Sequence, residues 1–245
     1  MICKQLFDDM NSDTNSHTLD RSEKTLQGNT LRQKYFADGF IHEFRTPISS
    51  IQLGIDSLKN TYMSEDQTMQ IIESLECQCN SLLQLVDNFH NLLTVRQEVN
   101  LKKTCILDFM NSINESCKSI LLRFQVGLDI NCEDSTISMD PHLIRIAMLN
   151  LAENAARSSK PGQLVHINVN GTTFEVSDHG TGIPQEKLLH ITDPFYLVDS
   201  SRCKKYNGFG LGLSLVKEIV EAHGSVLYIE SVENLGTTVR FTLKA

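Results

Sequence analysis

The sequence predicts an α+β protein in two parts, an antiparallel helical hairpin followed by an α/β sandwich with an antiparallel sheet. Three observations predict it. Apolar residues recur at helical spacing from Phe36 to Leu58 and again from Ile72 to Leu93. Beyond residue 101 short alternating runs mix with helical ones, and turn signals at Asn170-Gly171 and Gly224 punctuate them. With 245 residues, 40% of them hydrophobic, the chain can fill one large core or two modest ones.

Residues 1–30 are polar and read as a linker or a lead-in helix. The hairpin occupies 31–98. Phe36, Phe40, Phe44, Ile48, Ile51, Ile55 and Leu58 form one stripe on its first helix; Ile72, Leu75, Cys79, Leu82, Val86, Phe89 and Leu93 form the seam of its second. The polar stretch from Asn60 to Asp66 joins them. A lone hairpin with narrow seams leaves apolar surface in water, which predicts a homodimer closed as a four-helix bundle. The sandwich occupies 101–245. Asp140-Pro141 caps a helix that runs to about Ser158. Strands Leu164 to Asn168 and Thr173 to Val176 flank Asn170-Gly171, a helix from about Leu213 to His223 stops at Gly224, and strands Val226 to Glu230 and Thr238 to Leu243 follow.

The charge balance, 22 basic against 30 acidic residues for a formal −8, offers no broad basic field for nucleic acid or an anionic membrane. No window reaches the length of a membrane span and the opening residues have no signal-peptide core, so the chain as given reads as cytoplasmic, without direct membrane contact, with anchoring of the full-length protein in the cytoplasmic membrane left open. Seven cysteines without a C-x-x-C pair fit reduced thiols, with no bridges and no structural metal.

The residues that carry chemistry stand off this framework. His42 lies about 180° from the first helical stripe and faces water, with Glu43 beside it and Thr46 one turn on. Pro47 follows, although a proline inside a helix costs about 3 kcal/mol. Asn150, Asn154 and Arg157 share one helical face, where asparagine is a poor helix former. Asp178-His179-Gly180-Thr181-Gly182-Ile183 follows a strand: a carboxylate that can accept from an exocyclic amine, with glycines that let backbone approach a ring. Gly208-Phe209-Gly210-Leu211-Gly212-Leu213 opens a helix whose freed N–H groups suit phosphate. Taken singly, these are equally a solvated histidine, surface amides, a tight turn and an ordinary helix start.

Their order and spacing are more telling. Over residues 31–245 the chain resembles the transmitter region of a two-component sensor histidine kinase. The H-box is Phe40 to Pro47, the N-box Asn150 to Arg157, the first glycine box Asp178 to Ile183, the F-box Asp193-Pro194-Phe195-Tyr196 and the second glycine box Gly208 to Leu213.

The resemblance implies a dimerisation and phosphotransfer hairpin followed by a Bergerat-type ATP-binding domain. By that likeness His42 is the phosphoryl acceptor and Glu43 its neighbouring base. Asn154 holds Mg²⁺, and Asn150 and Arg157 meet the ATP phosphates. Asp178 binds the adenine amine, Gly180 and Gly182 shape that pocket, and Thr237 helps bind adenine through water. Gly208, Gly210, Gly212 and Leu213 belong to the hinge and cradle of a lid, Leu197 to Asn207, whose Arg202, Lys204 and Lys205 can neutralise γ-phosphate charge. The phosphoryl group then passes to an aspartate on a separate response regulator, since no receiver domain follows the last strand. Phosphatase activity toward that regulator would rest on Thr46. Two departures stand out: Ile41 replaces the usual serine, and Ser158 replaces an aromatic often found after the basic N-box residue, which implies weaker ATP binding. A gyrase-like or chaperone-like ATPase, or a degenerate kinase that only dimerises and binds a regulator, are the competing readings.

Overall fold

The computed structural model describes residues 38–59, 62–95, 99–198 and 209–244. The lead-in 1–30, Phe36, Asn60, Arg202, Lys204, Lys205 and Gly208 lie outside them. The chain divides between Thr46 and Pro47 into two compact units.

Residues 38–59 are helical (α1), Pro47 among them. Helix α2, Glu65–Thr94, starts at a capping box: Ser64 Oγ accepts from Gln67 N–H at 3.3 Å and Gln67 Oε1 accepts from Ser64 N–H at 3.1 Å. A Cβ at Gly54 would stand 2.7 Å from Leu75 Cδ2. The two helices therefore pack as the expected hairpin, and the missing side chain lets them approach closely.

The sandwich begins with β1, Lys102–Cys105, which pairs with β3, Thr136–Met139, in a separate two-stranded sheet. Between them lie α3, Ile106–Phe124, and β2, Gly127–Cys132. Then follow α4, Pro141–Ser158; β4, Leu164–Asn170; β5, Thr173–Asp178; α5, Gly212–Ala222; β6, Leu227–Val232; and β7, Gly236–Thr242. The main sheet has the order β2-β4-β5-β7-β6. Three of its four pairings are antiparallel, but β2 lies parallel to β4, so the sheet is mixed. Helices α3, α4 and α5 pack against it and one another.

The strands alternate because one face is covered by helices and the other is wet. Along β5, Phe174, Val176 and Asp178 are buried and the residues between them are half-buried. Phe174 and Phe241 stand opposite each other in register, their rings stacked at 5.2 Å between centroids. With Leu215, Val216, Ile219, Ile144, Met148 and Leu151 they form the centre of the core.

The Asn170-Gly171 hairpin is present, shifted by one residue. Asn170 and Thr173 pair, so the loop is Gly171-Thr172. Only Gly171 takes a positive φ, +56°. This is a glycine-first loop, since an Asn-Gly turn of type I′ would need both central residues left-handed.

Candidate functional site

Helix α4 sets the register of the site. Asp140 caps it by accepting from His142 N–H at 3.0 Å and Leu143 N–H at 3.1 Å, and Pro141 occupies the first turn. From that start, positions 150, 153, 154 and 157 fall at i, i+3, i+4 and i+7 on one face. That face lines a cleft of about 660 Å³.

Asn150, Asn154, Arg157, Asp178, Gly182, Gly210, Gly212, Leu213 and Thr237 all line this cleft. Gly180 joins them through its N–H, which donates to Asp178 Oδ1 at 2.8 Å. Residues spread from position 150 to position 237 of the chain are thus gathered around one cavity.

Asp178 ends β5 opposite Thr237 of β7 and is buried. Burial pushes its carboxyl pKa up, while the N–H groups of Gly180 and Thr237 and the nearby His179 pull it down; burial prevails. Thr237 Oγ1 lies 2.8 Å from Ser231 Oγ, which also accepts from Ile183 N–H at 2.8 Å. One serine thereby ties the first glycine box to the last strand. Gly182 has φ +60°, and a Cβ there would fall on the Val232 carbonyl. No other residue fits that approach.

On α4, Asn150 Nδ2 donates to Ile146 O at 2.8 Å, and a Cβ on Gly212 would stand 2.8 Å from Asn150 Oδ1. The start of α5 is packed onto the α4 amide. Arg157 Nη2 forms an ion pair of 2.7 Å with Glu153 Oε1, both side chains largely buried. Arg157 Nε is buried with no partner among the described residues, a donor left for an acceptor that enters the cleft.

Ser158, in the place of the family's aromatic, contributes backbone: its carbonyl accepts from Thr181 N–H at 3.1 Å. In the F-box Phe195 is left-handed, φ +65°, and its N–H donates to Gly210 O at 2.9 Å.

Sequence reasoning missed Glu153, Lys187, Gln84 and Asn88, which also line the cleft, and Ser231, which holds Ile183 and Thr237. Glu153 had a signal, since Glu four residues before Arg is a favourable helical pair. Ser231 had none, because its importance comes from the β6–β7 register.

In the other unit, His42 Nδ1 lies 3.2 Å from Glu43 Oε1, with the imidazole side chain 74% exposed and the glutamate 25%. Thr46 is exposed, and its hydroxyl donates to the His42 carbonyl at 3.4 Å. Phe40 and Phe44 touch across one turn, centroids 4.4 Å apart.

No group of three or more His, Cys, Asp or Glu among the described residues can hold a metal by itself. The cleft offers instead the amide oxygen of Asn154, beside Asn150 and Arg157. This donor set fits Mg²⁺ arriving with nucleotide phosphates, since that ion keeps most of its shell from phosphate and water.

Residues 139–245 match the model of the histidine kinase-, DNA gyrase B-, and HSP90-like ATPase, and residues 32–98 that of the His Kinase A (phospho-acceptor) domain. Sensor protein kinase WalK of Staphylococcus aureus is 30% identical over 225 residues, covering 86% of this chain and 53% of that protein; in strain JH9 the share of WalK covered is 36%. The chain thus spans about half or less of the curated relatives it matches.

In fold, histidine kinase AdeS of Acinetobacter baumannii superposes with a TM-score of 0.65 at 20% identity, over 83% of this chain and 98% of that one. Histidine kinase ThkA, solved in complex with response regulator protein TrrA, gives 0.64 at 21% identity over 83% of this chain and 59% of that one.

Fold and cleft thus define an ATPase domain behind a helical hairpin. With both family models matched in order, the chain belongs to the two-component sensor histidine kinases, as their transmitter region.

Proposed function

We propose that the chain is an ATP-dependent protein-histidine kinase that phosphorylates itself on His42 and passes the group to an aspartate of a separate response regulator. The observation that carries this reading is the pairing, on one chain, of an exposed His42 held to Glu43 with a cleft that gathers Asn150, Asn154, Arg157, Asp178 and Thr237.

The roles follow from the chemistry of each group. Asp178 accepts from the adenine amine in a buried setting where a wrong base leaves the carboxylate unpaired. Arg157, with its orphan donor, and Asn150 meet the phosphates. Asn154 holds Mg²⁺, which supplies charge neutralisation on the phosphates when bound. At the acceptor, Nδ1–H of a neutral imidazole donates to Glu43, which fixes the tautomer and leaves the Nε2 lone pair for attack. A new N–P bond forms at Nε2, the bond from the γ-phosphorus to the bridging oxygen breaks, ADP leaves, and Glu43 takes the Nδ1 proton.

We further propose a homodimer, hairpin against hairpin. Ile48 and Ile55 on α1 and Ile72, Cys79, Val86 and Leu93 on α2 recur every seven residues and stay exposed in the single chain; Val86 is 46% and Leu93 55% exposed. Leu75, Leu82 and Phe89, the alternate seam positions, are half-buried already. Half of each seam closes within the hairpin, and a second copy closes the rest.

A kinase that draws on ATP fits the cytoplasm, where that nucleotide is abundant; separately, no described helix is long and apolar enough to cross a membrane. The regulator partner rests on the likeness to kinases such as the one solved with its response regulator protein. Incubation with γ-labelled ATP and Mg²⁺ tests the reading: label that is acid-labile and base-stable supports it, and absence of label overturns it.

A further inference from the structure

In the reading above, on which this inference rests, the nucleotide meets sandwich residues alone. The structure brings two hairpin side chains to the same cleft. Gln84 and Asn88 of α2 line it together with Asn150, Asn154 and Arg157. They are four residues apart, hence on one face of the helix. Beside them Leu85 is fully buried, and further along α2 Val95 belongs to the sandwich core with Leu92 packed against it.

Apolar contacts therefore seat the end of α2, which packs on α5, and the two amides edge that seat where it meets the cleft. Gln84 is exposed and Asn88 half-buried; helix stability alone does not favour asparagine at the second position, since it is a poor helix former. The seat lies on α5, whose first residue Gly212 abuts Asn150. This is the α4–α5 side of the cleft, whereas Asp178 and Thr237 stand on the strands.

We propose that Gln84 and Asn88 are nucleotide-binding residues supplied by the hairpin, donating amide hydrogens to the polyphosphate, so that the ATP site is complete only while α2 is seated on α5. Each side chain offers two N–H donors and no charge. Such donors strengthen the hold on phosphate without competing with Arg157 for Glu153. Linkage then runs both ways: the factor by which the seated α2 tightens ATP is the factor by which ATP tightens the seat. A signal that shifts α2 changes ATP affinity without altering any sandwich residue.

The test is calorimetric titration of the intact chain with ATP, ADP and adenosine. The pair Gln84→Ala with Asn88→Ala weakens ATP and ADP by roughly tenfold, the loss of a charge-assisted hydrogen bond, and leaves adenosine unchanged. The near-isosteric pair Gln84→Glu with Asn88→Asp weakens ATP more, and high salt shrinks that loss. An unchanged thermal midpoint without nucleotide shows that each variant folds. Equal ATP affinity in wild type and both variants overturns this inference and leaves the kinase reading standing. Equal losses for ATP and adenosine overturn the polyphosphate assignment. A wild-type chain that binds no ATP overturns the kinase reading itself.

Discussion

The hairpin and the sandwich solve the burial problem in opposite ways. Helix α4, eighteen residues long, buries seven of them against its own domain, while α2, thirty residues long, buries only Ser81 and Leu85. The sandwich is a closed core, with Phe174 and Phe241 stacked at its centre. The hairpin is an open one that leaves a heptad seam in water. A closed core can hold a cleft whose walls are closely packed, as at Gly212 against Asn150, where a Cβ would stand 2.8 Å from Oδ1. An open hairpin can trade partners along its surface, which suits the proposed presentation of His42 first to ATP and then to a regulator.

The largest effects break the division of labour outright. His42→Gln should abolish labelling from ATP entirely, with nucleotide binding intact. Asn154→Asp should also abolish labelling, by putting a carboxylate beside the phosphates. Sedimentation should show both variants dimeric, because neither touches the seam; a monomeric variant would show that the two regions are not independent.

A second pair of variants separates the two cores. Leu215→Ala, in the closed core, should cost about 2–5 kcal/mol of stability in calorimetric unfolding, independent of protein concentration. Val86→Glu, on the open seam, should leave the unfolding of the sandwich unchanged and convert dimer to monomer. A Val86→Glu protein that stays dimeric would refute the proposed bundle.

What the sequence showed and what it hid follow the same division. Local devices were legible: Asp140-Pro141 starts α4, and Gly224, φ +68°, follows the end of α5. Long-range pairing was not. Strand β2 joins β4 in parallel across thirty-odd residues, and nothing local announces such a partner. Helix α3 ends with Gln125 left-handed at φ +57°, so the glycine that usually marks a helix end is absent. On α2 the 3,4 spacing located the seam, but spacing alone does not say which half faces the hairpin and which faces a second copy. The site residues were legible as types, and the Glu153–Arg157 pair as a local helical spacing; the tie of Ser231 to Ile183 and the approach of Gln84 and Asn88 depend on tertiary placement.

The buried carboxyl of Asp178 gives the cleft a pH signature of its own. Its raised folded pKa means that the folded state holds the proton more tightly than the unfolded chain does. Its contribution to stability therefore falls as pH rises from the ordinary carboxylate value through the raised one. Nucleotide binding runs the other way, since the ionised carboxylate is the stronger acceptor for the adenine amine and protonation replaces one of its acceptor oxygens with a donor. ATP affinity should weaken on acidification, beginning at a higher pH than an ordinary aspartate would give. Asp178→Asn should lose ATP binding and, at neutral pH, be at least as stable as wild type. A variant that is less stable there would show the ionised carboxylate to be stabilising and the sign wrong.

The smallest expected effect concerns the two reactions at the hairpin surface. Thr46 is exposed one turn from His42, its hydroxyl oriented by donation to the His42 carbonyl. Attack of the imidazole on ATP needs His42 and Glu43 and makes no demand on that hydroxyl. Hydrolysis of a phospho-aspartate docked at the same place needs a water held in line, and a hydroxyl at this position can hold one. Thr46→Ala should then keep autophosphorylation within a few-fold of wild type and slow regulator dephosphorylation by roughly tenfold, about 1.4 kcal/mol of barrier. The measurement is decay of the purified phospho-regulator with ADP present, wild type against Thr46→Ala. Equal decay rates would leave the hydroxyl as a helix-surface group that bonds its own backbone, and Thr46 would have no part in any phosphatase activity.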